Sequence, residues 1–133
     1  MVQIHSENTV SDYFIRFLNS GARVALIGTD LEDLINTGKQ FPKQALVIKC
    51  DLSADDQPYD MFNTVMHEFN GIDILVNAAG ILREGDIKTM KPQEYDRIID
   101  VNLRSVFYLS YLFFPALQKS RGCIVNVSCQ VKC

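Results

Sequence analysis

The sequence predicts an α/β fold, a parallel sheet of about five strands with helices on both faces. Three observations carry that expectation. Short runs of consecutive apolar residues recur along the chain, VALI at 24–27, ALVI at 45–48 and ILV at 74–76. Each is too short for a helix and reads as a strand buried on both faces. Between them lie segments whose apolar residues fall on one helical stripe, and the two patterns alternate along the chain.

Taken in order, the first strand is reduced to about Val2–His5. Residues 9–19 place Val10, Phe14, Phe17 and Leu18 at helical spacing. The second strand lies within GARVALIG (21–28), and Asp30 is placed to cap a helix starting at Leu31. QALVIKCDLS (44–53) holds the third strand. Residues 57–70 form a helix through Phe62, Val65, Met66 and Phe69, with Pro58 in its first turn behind Asp55 and Asp56. GIDILVNAAG (71–80) holds the fourth strand. A long helix then runs from Lys91 to about Lys119, with Thr89 as its cap and Pro92 in the first turn. Its apolar residues Ile98, Val101, Leu103, Phe107, Leu109, Leu112 and Phe113 cover more than one face. GCIVNVSC (122–129) reads as a fifth buried strand. There is no internal repeat or linker, so residues 1–133 form one domain.

Composition narrows the function classes. A net charge of −3 with scattered basic residues gives no electrostatic reason to bind nucleic acid. No run of eighteen apolar residues exists, which argues against a membrane span. The N-terminal ten residues lack a signal-peptide pattern, so Cys50, Cys123, Cys129 and Cys133 read as reduced thiols in a cytoplasmic setting. Cys129 and Cys133 stand four apart, but both histidines are far away in sequence, which disfavours a zinc site.

Ligands of parallel α/β sheets bind beyond the carboxyl ends of the strands. The residues there are Gly28-Thr29-Asp30, Cys50-Asp51-Leu52, Asn77-Ala78-Ala79-Gly80 and Ser128-Cys129. Small residues at 78–80 let a ligand approach the backbone, and Asp51 can accept a hydrogen bond from an exocyclic amine. Read singly, NAAG is equally a tight turn and Asp51 equally a cap.

Together, DILVNAAGI (73–81), CDLS (50–53) and YDRIIDVNLRSVFYLSYLFFPAL (95–117) followed by GCIVNVS resemble the short-chain dehydrogenase/reductase superfamily, in the family's order, from about residue 10 to 129. The resemblance implies the N-terminal half of a Rossmann-like, doubly wound parallel sheet and NAD or NADP as cofactor. It implies that Asn77, Ala78, Ala79 and Gly80 line the cofactor site and that Asp51, beside Leu52, reaches the adenine. It also implies that Asn102 distorts the long helix and holds a relay water, and that the second serine position of the last strand, here Cys129 after Ser128, meets the substrate carbonyl.

The departures are specific. The family's glycine-rich phosphate turn would fall near Ile4, Asn8 and Val10, where side chains obstruct a close approach and Glu7 adds negative charge. A thiol at Cys129 is a weaker donor than a hydroxyl. None of Tyr13, Tyr59, Tyr95, Tyr108 or Tyr111 has a lysine four residues on, so the family's Tyr-x-x-x-Lys pair is missing. At the cofactor-selecting position Gly28 and Thr29 choose neither NAD nor NADP, and Asp30, one residue late, reads as a helix cap.

The expected function is therefore an NAD(P)-dependent oxidoreductase of alcohols or carbonyls by descent, catalytically inactive as this chain alone. The alternatives are a non-catalytic interaction protein, pairing with a second copy or a complete relative through helix 91–119, and a truncated product whose last strand is an open edge. Phe107, Tyr108, Tyr111 and Phe114 serve the pairing equally as core packing or as interface.

Overall fold

The computed structural model describes residues 2–4, 11–82 and 85–128. Five strands, β1 (Val2–Ile4), β2 (Val24–Gly28), β3 (Ala45–Lys49), β4 (Ile74–Asn77) and β5 (Cys123–Asn126), form one parallel sheet in the order β3-β2-β1-β4-β5. The helices are α1 (Ser11–Asn19), α2 (Leu31–Gly38), α3 (Gln57–Phe69), α4 (Pro92–Ile99) and α5 (Ser105–Ser120), with a π-turn over Asp100–Arg104 between the last two. Short as it is, β1 sits at the centre, where the strand order reverses.

Alternation along the strands divides the core between the two faces. Ala25, Ile27 and Leu75 face α3 and α5, packing with Met61, Val65, Leu109, Phe113 and Leu117. Val24, Leu26 and Val76 face the other way, against Phe14 and Leu18 of α1 and Leu34 of α2. Along α5, Ser105, Leu109, Phe113 and Leu117 are buried at a spacing of four, one turn apart. Pro115 sits within α5 on its exposed side, and the helix continues past it to Ser120.

Two local expectations need correction. Thr89 does not cap the long helix. It belongs to a turn in which its amide and the Lys88 amide donate to the Asp86 carboxylate, while Lys91 is the N-cap and Glu94 reaches back to the Lys91 amide. The last strand is not buried on both faces: β5 lies at the sheet edge, with Ile124, Val125 and Val127 exposed. Its apolar composition is that of an interior strand, but among the described residues β4 alone pairs with it. Among the described residues no helix is long and apolar enough to cross a membrane, and no cluster of His, Cys, Asp and Glu could hold a metal.

Candidate functional site

In an open parallel sheet a crevice forms at the carboxyl ends of the strands where the order reverses, here between β1 and β4. Asn77 ends β4 at that point, and Ala78, Ala79 and Gly80 follow it. Asn77 is 3 % exposed and donates from Nδ2 to Oδ1 of Asn126, its in-register neighbour at the end of β5, at 2.9 Å. Its own Oδ1 has no hydrogen-bond partner among the described residues. The ladder continues one step further, with the Val127 amide donating to the Asn77 carbonyl at 2.8 Å. Ser128, exposed, is the next residue.

The far end of the 78–80 loop is fixed by the long helix. In the π-turn the Ser105 amide bonds to the Asp100 carbonyl, five residues back. The buried Ser105 hydroxyl donates to the Val101 carbonyl, the oxygen its amide would take in an ordinary α-turn. Asn102 stands at the middle of this wide turn. Its Oδ1 accepts from the Ile81 amide at 2.8 Å, and its Nδ2 donates to the Ile81 carbonyl at 2.9 Å. The helix distortion expected at Asn102 is therefore present, and its side chain grips the backbone of the loop.

Asp51 stands on the other side of the crevice, after β3. Its Oδ1 accepts from the Ser53 hydroxyl at 2.6 Å and the Ser53 amide at 2.9 Å, while Oδ2 lies 3.7 Å from the Arg97 guanidinium of α4. The Ser53 hydroxyl above all holds its carboxyl below the usual range; burial opposes it, and the Ser53 amide and the Arg97 charge add lesser contributions in the same direction as the hydroxyl. Leu52 beside it is buried and belongs to the core. Thr29 is exposed, and Asp30 accepts from the Glu32 and Asp33 amides as the N-cap of α2.

The π-turn and α4 thus link two groups of candidate residues, Asp51 through Arg97 and the 78–80 loop through Asn102. Cys129 and the positions Asn8 and Val10 lie outside the described residues. Sequence reasoning missed Ile81, Asn126, Ser53 and Arg97. Only Ser53 had a local signal, the Asp-x-Ser spacing of a side-chain turn.

The fold and these motifs have close counterparts among known proteins. The family model for short chain dehydrogenase matches residues 12–132. An uncharacterized oxidoreductase of Mycobacterium bovis is 33 % identical over 116 residues, covering 85 % of this chain and 47 % of the relative. A 3-oxoacyl-(acyl-carrier-protein) reductase of Thermotoga maritima is 33 % identical over 100 residues, covering 74 % of this chain and 41 % of that protein. Among solved structures, a metagenomic short-chain oxidoreductase in complex with NADP superposes with a TM-score of 0.88 at 30 % identity, covering 98 % of this chain and 63 % of that one. A short-chain dehydrogenase/reductase of Brucella melitensis superposes with a TM-score of 0.84 at 31 % identity, covering 94 % and 54 %. The chain belongs to the short-chain dehydrogenase family. It spans about half the length of the curated relatives it matches.

Proposed function

We propose that this chain is the dinucleotide-side half of an NAD(P)-dependent oxidoreductase of alcohols or carbonyls, and that these 133 residues do not complete the reaction by themselves. The observation that carries the reading is the Asn102–Ile81 clamp, which fixes the small-residue loop beside the crevice. The crevice suits a nicotinamide dinucleotide on three counts. Ala78, Ala79 and Gly80 leave room for close approach, the buried Asn77 Oδ1 has no hydrogen-bond partner among the described residues, and Asp51 Oδ2 lies 3.7 Å from the Arg97 guanidinium. Asp51 would accept from the adenine amine, Asn102 would hold a relay water, and Cys129, after Ser128, would stand at the carbonyl position. The cofactor itself supplies or takes up the hydride.

Two features set the limits of this chain. Side chains stand where the family's phosphate turn has glycines, so the dinucleotide binds weakly. A tyrosine with a lysine four residues on is missing, and loss of such a proton donor typically costs a factor of about 10² to 10⁴. The test is to mix the purified chain with NADH or NADPH and a panel of carbonyl compounds. No turnover is expected, and turnover above background overturns the proposal of inactivity. A failure of both NADH and NADPH to bind at millimolar concentration overturns the dinucleotide reading.

A separate observation favours self-association. Leu103, Phe107, Tyr111 and Phe114 form an apolar stripe on the outer face of the long helix, with exposures of 64, 72, 67 and 57 %. We propose that a second copy of the chain packs there.

A further inference from the structure

The two asparagines that end β4 and β5 form an arrangement that neither strand pairing nor core packing requires. Asn77 and Asn126 are in register, and the Val127–Asn77 main-chain bond holds the ladder together just beyond them. Asn126 is exposed, yet its Oδ1 takes the Nδ2 hydrogen of a residue that is almost wholly buried. That bond determines how the Asn77 amide is turned. With Nδ2 committed to β5, Oδ1 is directed away from β5 and is left as a buried acceptor at the strand-order reversal. A buried acceptor without a donor is destabilising. Such an atom, held in one orientation next to a loop of small residues, is suited to receive an O–H from outside the strand pair.

We propose that Asn126 is a positioning residue that acts through Asn77. Its Oδ1 holds the Asn77 Nδ2, so that the Asn77 Oδ1 is a fixed acceptor for an O–H donor, either a ribose hydroxyl of the dinucleotide or an ordered water. The assignment rests on the reading of the crevice as a dinucleotide site. It does not involve the clamp at the other end of the loop, because Asn102 reaches Ile81 and not Asn77.

The experiment follows the Asn77 side-chain NH₂ pair by NMR in the ¹⁵N-labelled full chain, with the signal identified by its loss in Asn77→Ser. Asn126→Asp keeps an acceptor opposite Nδ2 and should preserve the slow solvent exchange of that pair at neutral pH. Asn126→Ala removes the acceptor and should speed exchange about tenfold, with about a fivefold weakening of NADPH binding that Asn126→Asp reverses. Unchanged exchange in Asn126→Ala overturns the proposal. So does Asn126→Asp behaving like Asn126→Ala, because Asn126 would then be the donor of the pair. Saturation with NADPH distinguishes the two sources of the O–H: a shift of the Asn77 pair identifies the ribose, and an unmoved pair identifies water. Should neither NADH nor NADPH bind, the dinucleotide reading fails, while the exchange rates of the two variants still decide whether Asn126 orients Asn77.

Discussion

Asn102 and Ile81 are joined by two reciprocal hydrogen bonds, side-chain amide to backbone peptide, with lengths of 2.8 and 2.9 Å. A side chain that pairs with both polar groups of one residue acts as a short piece of β-ladder. Here it ties a helix to the loop that leaves β4. The pairing depends on the wide turn, since Asn102 occupies the middle of the stretch where the helix departs from α geometry.

Asn102→Ala should therefore cost stability and loosen the loop. Two hydrogen bonds near the surface are worth about 1–2 kcal/mol together. Urea melts should show that loss, and amide exchange at Ile81 should rise with it. Asn102→Asp keeps the acceptor for the Ile81 amide and should fall between the two. Unaltered protection at Ile81 in the alanine variant would show that the clamp does not hold the loop.

Gly122 precedes β5 where the chain passes directly over Asp73. A Cβ at this position would collide with the Asp73 carbonyl oxygen and lie 2.8 Å from its carbon, both backbone atoms that cannot move independently. The same carbonyl accepts the Cys123 amide at 2.9 Å, the bond that starts the β4–β5 ladder. Gly122→Ala should destabilise by about 3 kcal/mol or more, at or above the usual range for overpacking. At Gly38 the nearest obstacle is a side-chain methyl of Val47 at 2.9 Å, so Gly38→Ala should be the milder change. Comparing the midpoints of the two variants by thermal melts checks the order.

The thiols should separate by reactivity. Burial, with smaller contributions from the Asp51 and Asp60 charges, pushes the Cys50 thiol up to about 12 from 9.0, while Cys123 is exposed. Alkylation at pH 8 followed by peptide mapping should label Cys123 in the native protein and Cys50 only after unfolding. Because the folded state holds the Cys50 proton more tightly, its contribution to stability is complete below pH 9.0 and is lost as the pH rises toward about 12. Rapid native labelling of Cys50 would contradict its burial.

Phe107→Glu and Tyr111→Glu place charges on the exposed stripe without touching the buried line of Leu109 and Phe113. Each should shift self-association toward monomer while leaving the melting temperature of the monomer nearly unchanged. Sedimentation or light scattering over a concentration series is the measurement. A wild-type chain that stays monomeric at high concentration removes the proposed interface.

Much of this architecture was legible from local pattern. Val24–Ile27 and Leu75–Val76 announce strands buried on two faces, Asp30 before Leu31 announces a cap, and Asn102 within DVN marks the helix distortion through family resemblance. What escaped notice depends on atoms brought together from distant segments. Asn126 meets Asn77 from 49 residues away, Ile81 meets Asn102 across 21, and Arg97 approaches Asp51 from a helix that a sequence pattern alone could not orient. The apolar run of β5 left its position open between a strand buried on both faces and the open edge of a truncated product, because apolar content records what a strand can pack against, and its neighbours are set by topology. Thr89 has the place of a cap before a proline-led helix, but its hydroxyl accepts from the Asp86 amide instead of a helix amide, and the Asp86 carboxylate holds its own amide in a turn.

The π-turn also sets the angular relation between the two halves of the long helix. A helix advances about 100° per residue, so one extra residue in a turn makes everything before it point in a different direction from what an unbroken α screw would give. The phase of α4 is therefore not inherited from the buried line of α5. It is an independent setting stored in five residues, Asp100 to Arg104. Removing one residue there would restore the regular screw and rotate α4 about its own axis by roughly that angle. Arg97 would swing away from Asp51 even though neither residue had been altered.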